Sequence, residues 1–167
     1  MQLRRGKTRR DSAKRESMNS MSFPRIKNTK ADDLGPNYNY QHIVFVTKYR
    51  KAVFNDAETI RVARTALEYK AVECGFDIKL LSFGDDYAHV HLYINLPNTI
   101  TVAEAIRLLK GVSAHELLKQ IPRLRKDFFW GGHFWGKHYS NRSVGPQEQA
   151  VVENYIRRQD ISGRFVN

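Results

Sequence analysis

The chain has 167 residues, a formal net charge of +11 and a single cysteine, Cys74. That length holds one domain with a real core, no apolar run is long enough to span a membrane, and a lone thiol excludes an intrachain disulfide and fits a reducing, cytoplasmic setting. The excess of positive charge makes a polyanion the leading partner class, with nucleic acid ahead of a membrane surface.

Residues 1–36 hold ten Lys/Arg against four Asp/Glu. Arg4, Arg5, Lys7, Arg9, Arg10, Lys14 and Arg15 are interspersed with Ser, Thr, Asp and Gly. The apolar residues between them are sparse and show no period, so this stretch reads as a disordered basic tail. It suits a nucleic-acid-binding arm. It equally suits an upstream extension, since Met18 or Met21 could each begin the protein, and an Arg-rich transit segment is a further reading; no secretory h-region is visible. The folded domain is expected over residues 37–167.

Tyr40 to Tyr49 is rich in β-branched and aromatic residues and predicts a strand. Asn55-Asp-Ala-Glu58 predicts a capping box. Ile60, Ala63, Leu67, Ala71 and Cys74 then repeat at helical spacing, with Gly75 placed to end the helix. Phe76 to Phe83 predicts a second strand and Gly84-Asp85-Asp86 a turn. Ala88 to Ile94 predicts a third strand, with Ala88, Val90, Leu92 and Ile94 on one face and His89, His91 and Tyr93 on the other. Thr101 and Glu104 form a second capping box for a helix carrying Val102, Ile106, Leu109 and Val112. Phe128 to Val144 is aromatic and strand-like, with glycine interruptions. Gly145-Pro146 predicts the start of a last helix, with Pro146 at N1 and Glu148 at N3. The order βαββαβα is the α+β, ferredoxin-like or RRM-like pattern: an antiparallel sheet with two helices on one face. The last helix is extra and is free to cross the open face.

Two imidazoles at i, i+2 on a strand point the same way, an arrangement that suits a metal ion as well as a pair of surface histidines. Tyr155 and Gln159, at i, i+4 on the last helix, share one helix face. Taken together with the open-face histidines, they complete a plausible set of donors: two imidazoles and a carboxamide oxygen for a divalent cation, and a phenol beside it.

From about Tyr40 to Gln159 the chain resembles the single-tyrosine HUH transposases, the TnpA type of small peel-and-paste insertion sequences. The resemblance rests on His42-Ile-Val-Phe-Val-Thr-Lys-Tyr-Arg50, His89-Val-His-Leu92, Leu108-Leu-Lys-Gly-Val-Ser113, Trp130-Gly-Gly-His-Phe-Trp-Gly136, Ser143-Val-Gly145 and Tyr155-Ile-Arg-Arg-Gln159, in that order. It implies Tyr155 as nucleophile on single-stranded DNA with hairpin ends and a 5′-phosphotyrosine intermediate. It also implies Mg2+ or Mn2+ held by His89, His91 and Gln159, and a homodimer in which the last helix of one copy completes the other's site. Two departures stand out. Asp86-Tyr87-Ala88 precedes His89 where the family has Pro-Asp-His before its Val-His, and His138-Tyr139-Ser140-Asn141-Arg142 replaces the usual aromatic and small residues.

A domesticated repeat-associated relative would carry Asn-Pro after the Tyr-Ile; here Arg157-Arg158-Gln159 stands instead. A non-catalytic RRM-like module would need stacking aromatics where His89 and His91 stand. DNA contacts are expected from Arg123, Arg125, Lys126, Lys137, Tyr139 and Arg142, with Phe128, Phe129, Trp130, Phe134 and Trp135 either stacking on bases or forming core. Cleavage is expected to fall below about pH 6 as imidazoles protonate. What removes the phenol's proton is left open.

Overall fold

The computed structural model describes residues 39–165, so the basic tail read over residues 1–36 lies outside the described residues. Four strands, β1 (Tyr40–Thr47), β2 (Asp77–Phe83), β3 (His89–Asn95) and β4 (Trp135–Ser143), form one sheet in the order β2-β3-β1-β4. All three pairings are antiparallel. Helices α1 (Ala57–Glu73), α2 (Val102–Gln120), α3 (Pro122–Asp127) and α4 (Gln149–Gln159) complete the elements. This is the expected ferredoxin-like α+β architecture, with α3 as an unexpected short addition.

One face of the sheet is closed by α1 and α2. Ile43 and Phe45 of β1, Leu81 and Phe83 of β2, and Val90, Leu92 and Ile94 of β3 are buried there against Ile60, Ala63, Leu67, Ile106 and Leu109. Each such large apolar side chain contributes about 1.5–3 kcal/mol by leaving water. The alternation read in β3 therefore holds: its even-numbered residues enter the core and His89, His91 and Tyr93 face the other side.

The helix ends follow their local chemistry, with some shifts from expectation. At α1 the N-cap is Asp56, one residue later than Asn55; its carboxylate accepts the Thr59 N–H at 2.9 Å and the Thr59 hydroxyl at 2.7 Å. Gly75, at φ +71°, ends the helix with Phe76 N–H to Ala71 C=O at 2.7 Å and Gly75 N–H to Val72 C=O at 3.2 Å, a paired closure that needs a left-handed residue. Thr101 caps α2 as expected, accepting the Glu104 N–H at 3.2 Å. Glu104 does not reach back, because its carboxylate holds Arg107 at 2.6 Å. The last helix starts at Gln149 rather than beside Pro146. Glu148 spends its carboxylate on Arg142 at 2.7 Å and the Gly145 N–H at 3.4 Å, which fixes residues 145–148 as a turn.

The aromatic stretch after α2 divides. Phe129, Phe134 and Trp135 are buried in the core, while Trp130 is 87% exposed. The strand itself begins only at Trp135. The Trp135 indole N–H donates to Ser113 Oγ at 2.9 Å, and that hydroxyl donates to Leu109 C=O at 2.7 Å, so the buried polar atoms of this contact are paired. Helix α4 crosses the open side of the sheet, where Val152 and Ile156 pack on Tyr93 and Val144, edged by Tyr40 and Leu80. Among the described residues no helix is long and apolar enough to cross a membrane.

Candidate active site

The site is assembled on the open face by β1, β3, the turn before β3, and α4. In the β1–β3 register Val44 opposes His91, Val46 opposes His89 and His42 opposes Tyr93. His42 is thus a diagonal neighbour of His91 on the same face, within reach of a ring. His89 Nε2 lies 2.9 Å from His91 Nε2.

The opposite nitrogen of each ring is engaged from behind. His89 Nδ1 contacts Asp86 Oδ1 at 2.5 Å, and the same carboxylate accepts the Ala88 N–H at 2.9 Å and Arg50 at 3.1 Å. His91 Nδ1 contacts His42 Nε2 at 3.1 Å, with the two rings stacked at 5.3 Å between centroids. The departure of Asp86-Tyr87-Ala88 from the family pattern is therefore constructive: the turn puts a carboxylate behind the first histidine. Tyr87 holds that turn at φ +57°, a conformation uncommon for a residue with a side chain. Gly84 lets the ring in, since a Cβ there would lie 2.0 Å from the His89 ring.

Burial sets the charges. His91 is 4% exposed, and burial first, then the neighbouring His89 and His42, push its pKa down to about 4. His42 also lies below the ordinary imidazole range, through burial and then Arg142. For Asp86 burial acts upward, but the Ala88 N–H, His89 and Arg50 more than offset it, so its carboxyl lies below the usual range.

Tyr155 approaches from α4. Its ring stands edge-on to His91 at 5.8 Å and to His42 at 6.0 Å, and the residue is 48% exposed. Gln159, one helical turn on, is half-buried. Tyr155, His89 and His91 are therefore brought together within one chain, with Gln159 on the same helix face. His42 and Asp86 were not singled out in the sequence. His42 lies in phase with Val44 and Val46 on an alternating strand, but only the register shows that it meets His91.

The residue types and spacing fit a divalent cation. Two nitrogens about 2.1 Å from one ion and at right angles are about 3.0 Å apart, close to the observed separation of the two Nε2 atoms. Among the described residues no group of three His, Cys, Asp or Glu side chains forms a metal cage. Two imidazoles alone would leave most positions of a cation open to oxygen donors, as Mg2+ and Mn2+ sites commonly do.

The expected DNA contacts divide between two regions. Arg142 opposes His42 across β1–β4, on the face of the site. Lys137 and Tyr139 line a groove of about 350 Å3 with Val44, Val46 and Tyr49. Arg123, Arg125 and Lys126 lie on α3 in the helical layer, where Arg123 is paired with Asp56 at 2.8 Å; the structure does not bring these three to Tyr155.

Residues 37–159 match the family model described as IS200-like transposase. Among curated proteins the chain is 28% identical to the ISDra2 transposase TnpA of Deinococcus radiodurans over 128 residues, covering 75% of this chain and 89% of that protein. It is also 28% identical to the transposase for insertion sequence element IS200 of Salmonella typhimurium, over 71% of this chain and 74% of that protein. Among solved structures, a candidate transposase from Deinococcus radiodurans R1 superposes with a TM-score of 0.57 at 26% identity, over 72% of this chain and 90% of that one. A REP-associated tyrosine transposase bound to a REP hairpin gives 0.50 at 10% identity, over 72% and 64%, a likeness of fold.

Proposed function

The chain belongs to the family of IS200-like transposases, and on that premise we propose that it cleaves and rejoins single-stranded DNA at insertion-sequence ends through a 5′-phosphotyrosine intermediate. Tyr155 is the nucleophile in this reading, and His89, His91 and Gln159 hold one Mg2+ or Mn2+. The observation that carries it is the convergence of His89 Nε2 and His91 Nε2 at 2.9 Å, with the Tyr155 ring 5.8 Å from that of His91.

A cation held there supplies Lewis-acid polarisation of the scissile phosphate and neutralises the charge that develops on it. Tyr155 Oη forms a bond to phosphorus and the bond from phosphorus to the 3′ oxygen breaks. The phenol loses its proton and the departing 3′ oxygen gains one. The reverse step, with another 3′-OH, joins strands and releases the phenol. The phosphodiester energy is retained in the covalent link, so no nucleotide cofactor is needed. Strands with hairpin ends and a homodimer with exchanged last helices belong to the same proposal, as does a cytoplasmic, nucleoid-associated location.

The test is adduct mapping on single-stranded oligonucleotides carrying the element's ends. Wild type forms a DNA–protein adduct on Tyr155 that excess chelator suppresses. Tyr155→Phe folds and binds DNA but forms none. An adduct on another tyrosine, or full activity in chelator, overturns the assignment.

A further inference from the structure

Each metal-facing histidine is braced from behind, but by different chemistry. A carboxylate stands behind His89, and an imidazole, that of His42, behind His91. Metal-ligating histidines usually donate their second ring N–H to such a partner, which fixes the tautomer and the ring's aim. The tautomers can be followed through the chain of contacts. A carboxylate can only accept, so Asp86 Oδ1 takes the His89 Nδ1–H and His89 Nε2 carries a bare lone pair. For His91 Nε2 to be bare as well, its proton must sit on Nδ1, and the atom placed to accept it is His42 Nε2 at 3.1 Å.

We propose that His42 is a positioning residue for the metal site: its Nε2 accepts the Nδ1–H of His91 and so presents His91 Nε2 to the cation. His42 is not a third ligand, because it meets the ring at Nδ1 whereas His89 meets it at Nε2. In the metal-free protein the same row of atoms is satisfied in the other sense. His42 Nε2–H donates to His91 Nδ1, and His91 Nε2–H donates to His89 Nε2. Binding of a cation then moves one proton across His91 from Nε2 to Nδ1, and His42 accommodates it by carrying its own proton on Nδ1 with Nε2 bare. All three rings stay neutral.

This inference rests on the metal reading of His89 and His91, and the experiment separates the two. Mn2+ alone is titrated into the full chain and free ion is read by EPR, for wild type, His89→Ala, His42→Phe and His42→Gln, each checked for an intact far-UV spectrum. His42→Phe keeps a flat ring against His91 and Tyr155 but removes the acceptor; His42→Gln restores a polar atom at similar reach. His42→Phe should weaken Mn2+ roughly 10- to 100-fold, and His42→Gln should recover most of that loss. In Mg2+-loaded wild type, 15N-histidine spectra should show His91 protonated on Nδ1 and bare on Nε2. Unchanged Mn2+ affinity in His42→Phe, or a His91 proton on Nε2 in the loaded protein, overturns the role of His42. Equal Mn2+ binding by wild type and His89→Ala overturns the metal reading beneath it.

Discussion

At the scale of single residues, the fold keeps the His91 imidazole neutral at mildly acidic pH, where water would charge it, and that has a measurable consequence. A histidine in the unfolded chain takes its proton near 6.5, whereas burial holds His91 back to about 4. Between those values the unfolded chain binds more protons than the folded one, so stability rises with pH there. The contribution is complete above 6.5 and is lost as pH falls through about 4. Its full size is about 3 kcal/mol. Urea unfolding of the metal-free protein between pH 7 and pH 4.5 should therefore show stability falling toward acid, and His91→Asn should flatten much of that slope. An equal slope in both proteins would assign the acid sensitivity to other groups.

At the scale of elements, what was legible in the sequence was local and periodic. Strand alternation put His89 and His91 opposite Val90 and Leu92, and the structure follows it. Helical period marked Ile60, Ala63 and Leu67, and Gly75 ended the helix as its left-handed freedom allows. What was not legible depends on partners distant in sequence. The last helix does not start beside Pro146: Glu148 reaches to both Arg142 and the Gly145 N–H, and the helix begins only at Gln149. Phe134 and Trp135 could have been base-stacking surface, and only the packed layer shows them to be core. His42 became part of the site through a strand register that no spacing within β1 reveals.

The same distance effect explains Ser113, a small polar residue in the buried stripe of α2. It is wholly buried because it serves the Trp135 indole N–H across the layer. Removing its hydroxyl leaves that N–H without an acceptor in the core. Ser113→Ala should cost about 1–3 kcal/mol in urea unfolding. In a Trp135→Phe background the same change should cost clearly less, because the orphaned donor is gone. Equal costs in the two backgrounds would place the role of Ser113 elsewhere.

At the scale of the whole molecule, the question is which sheet α4 serves. In one chain α4 sits on its own sheet, held by Val152 and Ile156 against Tyr93 and Val144. Beyond it, Asp160 Oδ1 accepts the Phe83 N–H at 3.4 Å, and Arg64 donates to Ser162 Oγ at 3.2 Å. All of these contacts join α4 and the residues after it to groups that precede the 145–148 turn and that every copy of the chain presents. Exchange between two copies would re-form them with little change in energy, as in other swapped elements. The sheet order leaves β4 at an edge, with residues 137–143 exposed, so its outer backbone groups are open to a second strand. A pairing there would bring two copies side by side at the strand from which α4 departs. The proposed exchange is tested by mixing two inactive chains of different size, Tyr155→Phe and His89→Ala. With exchange, one site of each mixed dimer combines intact histidines from the first chain with Tyr155 of the second. Random pairing then gives about a quarter of the wild-type adduct, all of it on the His89→Ala chain. If the helix stays on its own sheet, every site in the mixture lacks either the tyrosine or a histidine, and no adduct forms on either chain.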